Sequence, residues 1–306
     1  MGEGPSLESP RYNPSLSLYI TKRNKERARA KMLLGSRCAL VPVSLGTFFK
    51  HLPRSKPTPI FPSKTLTTTA TIHFDALDSR QKHQIHLYVD TLLDWNQRMN
   101  LTAVREAGEV MERHIDDSLA IIPPITDSYL SNCGASFGNL SLIDVGSGAG
   151  LPGLVLAIAC PDWKVTLMES MSKRCVFLEH AVNHVGLSNV EIVRGRAENL
   201  GQDVCFREKY DVAVARAVAE MRILAEYCLP LVRVGGLFVA AKGHDPQMEV
   251  KNAEKAIQIL GASIRQLCPV ESHSPYGQRT AIVCLKTSPT PKKYPRDPGT
   301  PVKVPL

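Results

Sequence analysis

The chain has 306 residues, 43% of them hydrophobic, which is enough for a sizeable core. No apolar run approaches the roughly 18 to 20 residues of a membrane-spanning helix, which excludes a helical transmembrane protein. The formal charge of +8 is unevenly placed: residues 1–71 hold 12 Lys and Arg against 3 Asp and Glu, residues 289–306 hold 4 against 1, and the body between holds 21 against 25, so any RNA affinity must come from local patches and tails.

Residues 1–71 are rich in Ser and Thr, poor in acids, and carry the basic run TKRNKERARAK at 21–31. That composition fits an organellar transit peptide, whose strongest version starts at Met32, where MLLGSRCALVPVSL leads into Ser/Thr/Pro-rich sequence. Between Asp78 and Met99 the apolar residues Ile85, Tyr88, Leu92, Trp95 and Met99 recur every three or four positions, which predicts an amphipathic helix begun by Asp78 or Ser79. A second helix is expected over 106–122, with Val110, His114, Ile115 and Leu119 on one side and Pro123 and Pro124 as its end. With a Gly/Ser/Asn loop at 133–139, residues 72–139 read as a helical cap ahead of a domain at 140–288.

That domain opens with IDVGSGAGLPG at 143–153, a buried strand ending in Asp144, then glycines at 146, 148 and 150, then a helix opened by Pro152. Glycines so spaced let the backbone turn with positive φ and let a ligand approach the main chain, while the helix N-terminus favours a polar or anionic ligand group. Gly148, Gly150 and Gly153 also satisfy the GxGxxG dinucleotide fingerprint. The carboxylate of Asp144, placed before the glycines, instead resembles the first motif of S-adenosylmethionine-dependent methyltransferases, where it can meet the charged amino-acid half of the cofactor.

Beyond the loop, strands are expected at 164–168, 190–193, 211–215, 237–241, 263–270 and 280–286, the last pair including an antiparallel edge. Helices are expected at 172–185, 218–229 and 247–260, the first ended by Gly186. Alternating strands and helices make this α/β, a mostly parallel seven-stranded sheet with helices on both faces. The final stretch, 289–306, holds six prolines and four basic residues and reads as an extended basic arm without helix.

Glu169 lies 19 positions after Gly150, near the offset at which an acid meets ribose hydroxyls. Ala197 and Glu198 follow the third strand, where they can approach an adenine edge. Arg216 closes the fourth strand, VAVAR, at the sheet edge where ligands bind, and is the candidate positioning residue for catalysis. His180 and His184 are four apart on one helix, but no third ligand makes a metal site. The eight cysteines include no CxxC, and Cys160, Cys175, Cys228 and Cys284, in apolar runs, read as reduced core thiols.

The segments WNQRMNLTAVRE, ERHIDDSLA, LIDVGSGAGLPGLVLAI, SKRCVFLEHAV, GRAENL, ARAVAEM, GGLFVAAKG and KYPRDPGTPVKVPL, collinear over about 90–306, resemble the RsmG (GidB) family of small-subunit rRNA guanine-N7 methyltransferases. The resemblance implies a Rossmann-like class I methyltransferase fold. It implies that Gly146, Leu151, Ala197, Glu198 and Arg216 contact S-adenosylmethionine, with Glu169 at the ribose and Asp144, Gly148 and Gly150 in the same cradle. It also implies that Arg113, Lys173, Arg174, Lys242 and Arg279 face rRNA or the ribosomal small subunit, with the chain acting as a monomer without metal or membrane. One departure is GRAEN, where the family often has Ser before Arg196. The other is the long presequence, which suggests a plastid rather than a mitochondrial or cytoplasmic version. The rival readings are an NAD-dependent oxidoreductase and a noncatalytic RNA-binding assembly factor that keeps the fold.

Overall fold

A computed structural model describes residues 73–133, 138–216, 218–243, 245–270, 272 and 278–306; the transit-peptide reading of 1–71 lies outside them. Helix α1 (Ser79–Asn96) starts where the sequence signals it. Asp78 accepts from the Gln81 backbone at 2.8 Å and the Gln81 side chain accepts from the Asp78 N–H at 3.0 Å, a reciprocal capping box. Its stripe of Ile85, Tyr88, Val89 and Leu92 is buried, at roughly 1.5–3 kcal/mol for each large apolar side chain.

The second helical run corrects the expectation at 106–122. It is α-helical at Ala107–Val110 and Asp117–Leu119 with a wider π segment, Met111–Asp116, between, and together these form α2. Pro123 and Pro124 do not merely end it. They stand in the first turn of a further helix, α3 (Ile122–Cys133), where the missing N–H groups have no intrahelical acceptor to lose.

The sheet contains β1 (Ser141–Val145), β2 (Lys164–Glu169), β3 (Val190–Arg194), β4 (Tyr210–Arg216), β5 (Val232–Lys242), β6 (Ala262–Val270) and β7 (Arg279–Lys286), in the order β3-β2-β1-β4-β5-β7-β6. The first five run parallel, and β7 pairs antiparallel with both β5 and β6. The antiparallel strand therefore lies one place inside the edge rather than at it. Between the strands run α4 (Gly153–Ala159), α5 (Ser172–Val185), α6 (Ala197–Leu200), α7 (Met221–Cys228) and α8 (Gln247–Ile259). Helix α7 begins three residues later than the sequence suggests. Ile143 and Val145 of β1 pack with α7, α8 and Tyr294 in one buried cluster, while Asp144 points to the opposite face against α4.

Helices α1 and α3 also complete the layers rather than forming a separate cap: α1 lies against α4 and α5, and α3 against β5 and β7. Gln81 donates to Ile158 and Ala159 carbonyls at 3.0 and 3.1 Å, satisfying the end of α4, and Gln84 donates to the Val185 carbonyl at 3.1 Å at the end of α5.

The arm expected at 289–306 is instead folded onto the body. Arg207 donates to the carbonyls of Tyr294 at 2.7 Å, Thr290 at 2.8 Å and Gly201 at 2.6 Å. Arg296 makes a two-pronged bond to buried Glu226 at 2.6 and 2.9 Å. Tyr294 is buried, and 300–303 turn into a short helix, α9 (Thr300–Lys303), with Pro301 in its first turn. Proline limits helix length but does not prevent docking, because the tail's carbonyls find donors on the body.

Candidate active site

The strand order reverses between β1 and β4, and in such sheets the crevice outside the carboxyl ends of those two strands is where ligands bind. The glycine loop leaves β1 at this point and Arg216 ends β4 beside it. The N–H groups of Gly146 and Ser147 both donate to the Met168 carbonyl, at 2.9 and 3.0 Å, which pins the loop to β2. Gly148 has φ +59, and a Cβ there would meet only the Gly146 carbonyl oxygen, 3.9 Å away, so its outer side is open to a ligand. Gly153 is glycine for another reason. A Cβ would sit 2.3 Å from Leu167 Cδ2 and 2.7 Å from Asp144 Oδ2, so only glycine lets α4 come this close to the strands.

Asp144 is fully buried, and its Oδ2 accepts the Gly153 N–H at 3.0 Å. Its Oδ1 meets no hydrogen-bond donor among the described residues. Burial raises its pKa to about 6, against the pull of Gly153, Ser147 and Arg216. Glu169, also buried, accepts from Gly148 N–H at 3.0 Å and Met171 N–H at 2.8 Å, with Arg174 at 3.7 Å. The sequence-predicted pair of glycine loop and Glu169 is thus brought together. Gly150 and Leu151 close the loop by donating to the Ser147 carbonyl at 2.7 and 3.1 Å.

Arg216 is partly buried and donates to the His114 carbonyl and Ser118 Oγ, both at 3.4 Å. Burial lowers its pKa, and nearby Asp117, Tyr88 and Asp144 work to keep it charged. His114 beside it is not poised to take a proton. Its Nδ1 lies 3.0 Å from the Arg113 carbonyl, which can only accept, so Nδ1 carries the hydrogen and Nε2 accepts from Thr102 Oγ1 at 2.7 Å. Burial, with Arg216 second, depresses its pKa to about 4, and the ring is neutral at physiological pH.

One residue at the centre of the site escapes a motif search. Tyr88 is fully buried, and its hydroxyl donates to the Ala149 carbonyl of the glycine loop at 2.6 Å. A tyrosine inside an otherwise apolar helical stripe is the signal that could reveal it, since a buried phenol needs a partner.

Ala197 and Glu198 begin α6 at the end of β3. Glu198 is buried, and its Oε1 accepts from Arg196 Nη2 and from the Gly299 N–H of the tail, both at 3.0 Å. The expected RNA-facing residues separate by environment. Lys173 is exposed on the first turn of α5, and Arg174 lies across it toward Glu169. Lys242 is turned inward, bonded to the Ala219 carbonyl and Glu249 at 2.6 Å each. Arg279 pairs with buried Asp117 at 3.1 Å, and Arg113 pairs with Glu109 along α2 at 3.2 Å. In register, Lys242 faces Thr280 and Arg216 faces Ala241, so Lys242, Arg279 and Arg216 all stand at the same carboxyl edge of the sheet. His180 and His184 stack on one another at 5.9 Å, with Trp95 against His180 at 5.1 Å.

The family model described as rRNA small subunit methyltransferase G, GidB, matches residues 81–274. The ribosomal RNA small subunit methyltransferase G of Acetivibrio thermocellus is 44% identical over 232 residues, covering 75% of this chain and 90% of that protein. The protein of the same name in Brevibacillus brevis is 41% identical over 232 residues, covering 76% of this chain and 93% of its own. The matched span contains the glycine loop, Glu169, Ala197, Glu198 and Arg216. An open glycine cradle at the switch point, with one carboxylate beneath it and another across it, is thus matched by likeness along most of the folded chain, and the chain belongs to the rRNA small subunit methyltransferase G family.

Proposed function

We propose that the protein methylates N7 of a guanine in small-subunit rRNA with S-adenosylmethionine as donor. The observation that carries this reading is Asp144 Oδ1, a buried carboxylate oxygen without a donor among the described residues, at the end of the strand from which the open glycine loop departs. A ligand with a cationic amino-acid end fits it, because such a charge would restore the ionisation that burial opposes. Asp144, Gly146, Gly148, Gly150 and Leu151 would hold that end, Glu169 the ribose, and Ala197 with Glu198 the adenine. The cofactor supplies an electrophilic methyl group.

The chain's own residues then have to align and shield. Guanine N7 carries a free lone pair, so no base is needed to deprotonate it, and catalysis can rest on proximity and exclusion of water. Arg216, steadied by the His114 carbonyl and Ser118, positions the reacting partners at the end of β4. Exposed Lys173 and its neighbour Arg174, which lies 3.7 Å from Glu169, would meet RNA phosphates as they approach. The residues turned inward, Lys242 and Arg279, hold the edge in shape.

The test is transfer of an isotopically labelled methyl from S-adenosylmethionine to small-subunit rRNA, free and assembled, followed by nucleoside mass spectrometry. Label in 7-methylguanosine is the expected result. Binding of rRNA with no transfer would favour the assembly-factor reading, and tight binding of a nicotinamide dinucleotide would favour the oxidoreductase. The plastid is the compartment this reading assigns, supported by the composition of 1–71. A protein that remains intact from Met1 after incubation with plastids would sink that assignment, since roughly the first 60 to 75 residues should be removed.

A further inference from the structure

We infer that the C-terminal tail is a positioning element for the cofactor site, acting through Glu198. This rests on the reading that Glu198 lies at the adenine end of S-adenosylmethionine. Three observations converge on it. The tail's Gly299, at φ +83, turns its N–H onto Glu198 Oε1 at 3.0 Å, a conformation that side chains other than glycine's resist. The approach is held just ahead of that contact: Gln202, two residues beyond α6, donates to the Pro295 carbonyl at 2.7 Å, and Arg296 is locked to Glu226. Gly201, which follows α6, lies so close that a Cβ would come within 2.8 Å of Pro295 Cγ. The tail therefore packs against α6 and bonds to the carboxylate at its start.

The contact is directional. Glu198 is buried and needs donors for its charge. Arg196 supplies one from its own loop, the Glu198 N–H and the Tyr227 hydroxyl add to it locally, and Gly299 supplies a donor from the tail, about a hundred residues away. Burial pushes the Glu198 carboxyl up, but the bonds from Arg196, from its own N–H and from Gly299 outweigh it and hold the group below its ordinary range, so it stays ionised. Losing the Gly299 N–H would leave the buried carboxylate with its local donors alone and shift its balance toward Arg196. Ala197 and Glu198 would then no longer stand where the adenine edge requires them.

The experiment uses the folded chain truncated after Asp297, which keeps the Arg207, Lys286 and Arg296 anchors and removes the Gly299 donor together with α9 and Leu306, which packs against the core. Affinity for S-adenosylhomocysteine is measured by calorimetry, with thermal midpoints alongside, for the unaltered chain, the truncation, Glu198→Gln and the two combined. The truncation and Glu198→Gln should each weaken binding by about tenfold, and the combination should be no worse than the weaker-binding single change, because both act on one contact. A truncation that lowers the thermal midpoint but binds normally, while Glu198→Gln binds weakly, overturns the inference and makes the tail purely structural. Additive losses overturn it too. Normal binding by Glu198→Gln removes the Glu198 assignment itself. Should truncation prevent folding, Gly299→Ala serves in its place, because its Cβ meets open space and only the backbone turn is strained.

Discussion

Helix α1 and the C-terminal tail brace the same site from opposite ends of the chain, and they do it by different physics. Helix α1 buries an apolar stripe against α4 and α5 and then spends single neutral hydrogen bonds, from Gln81, Gln84 and Tyr88, on backbone carbonyls. The tail buries Thr290, Tyr294, Pro295 and Pro301 and packs Leu306 against the core, but it is fastened by ionic groups: Arg207 on its carbonyls, Arg296 on Glu226, Lys286 against Glu208. A brace made of burial loses stability gradually as contacts are removed. A brace made of buried charge fails abruptly, since breaking one partner strands the other.

The sharpest test of that contrast is Arg296→Ala. Glu226 is 1% exposed and accepts three bonds from the Arg296 guanidinium, so the loss of that side chain should cost about 3–5 kcal/mol in denaturant unfolding. A loss under 1 kcal/mol would erase the distinction between the two braces.

Asp144 supplies the next largest effect, with a sign that can be worked out. Its folded pKa of about 6 lies above the ordinary 3.8, so protonation favours the fold. That contribution is complete below about pH 3.8 and is lost as pH rises through about 6. Asp144→Asn cannot ionise, and its stability relative to the unaltered chain should therefore grow between pH 4 and 7, by up to about 3 kcal/mol, while cofactor affinity falls. A stability difference that stays flat across this window would mean that the carboxylate is not desolvated.

Tyr88→Phe is the milder counterpart on the α1 side. It removes one neutral bond to Ala149 and leaves the ring packed, so the loss should be about 1 kcal/mol in stability, with a weakened hold on cofactor. If cofactor affinity is unchanged, α1 supports the fold and not the loop.

The same contrast explains what was legible in the sequence. Apolar residues recurring every three or four positions gave α1, a glycine stop at 186 bounded α5, alternation of strand and helix gave the sheet, and glycine spacing with Asp144 and Glu169 gave the cradle. Each is a local pattern. What stayed hidden depends on partners distant in sequence: the place of β7 inside the sheet, the second use of Pro123 and Pro124, and the docking of 289–306. Six prolines and four basic residues look like a solvated arm until Glu226, Glu198 and the donors of Arg207 are brought beneath them. Tyr88 was visible as a member of a stripe, but its hydroxyl's acceptor lies 61 residues away.

If both braces only position, the chemical step itself should show almost no titration, and this is the smallest effect to look for. Single-turnover methyl transfer at saturating rRNA and cofactor should vary little between about pH 6 and 8.5, because N7 needs no deprotonation. His114, the nearest candidate base, has its pKa depressed to about 4 by burial and by Arg216, so it is neutral throughout that window. Its accepting nitrogen is already taken by Thr102, which would have to be displaced before a proton could arrive. Asp144 changes state near the lower end, but saturation with cofactor confines that to binding. RNA docking and product release can add their own dependence, so the measurement has to isolate transfer. A rate that rises tenfold per pH unit would require a group that loses a proton in the step, and the acceptor would then be an atom other than N7.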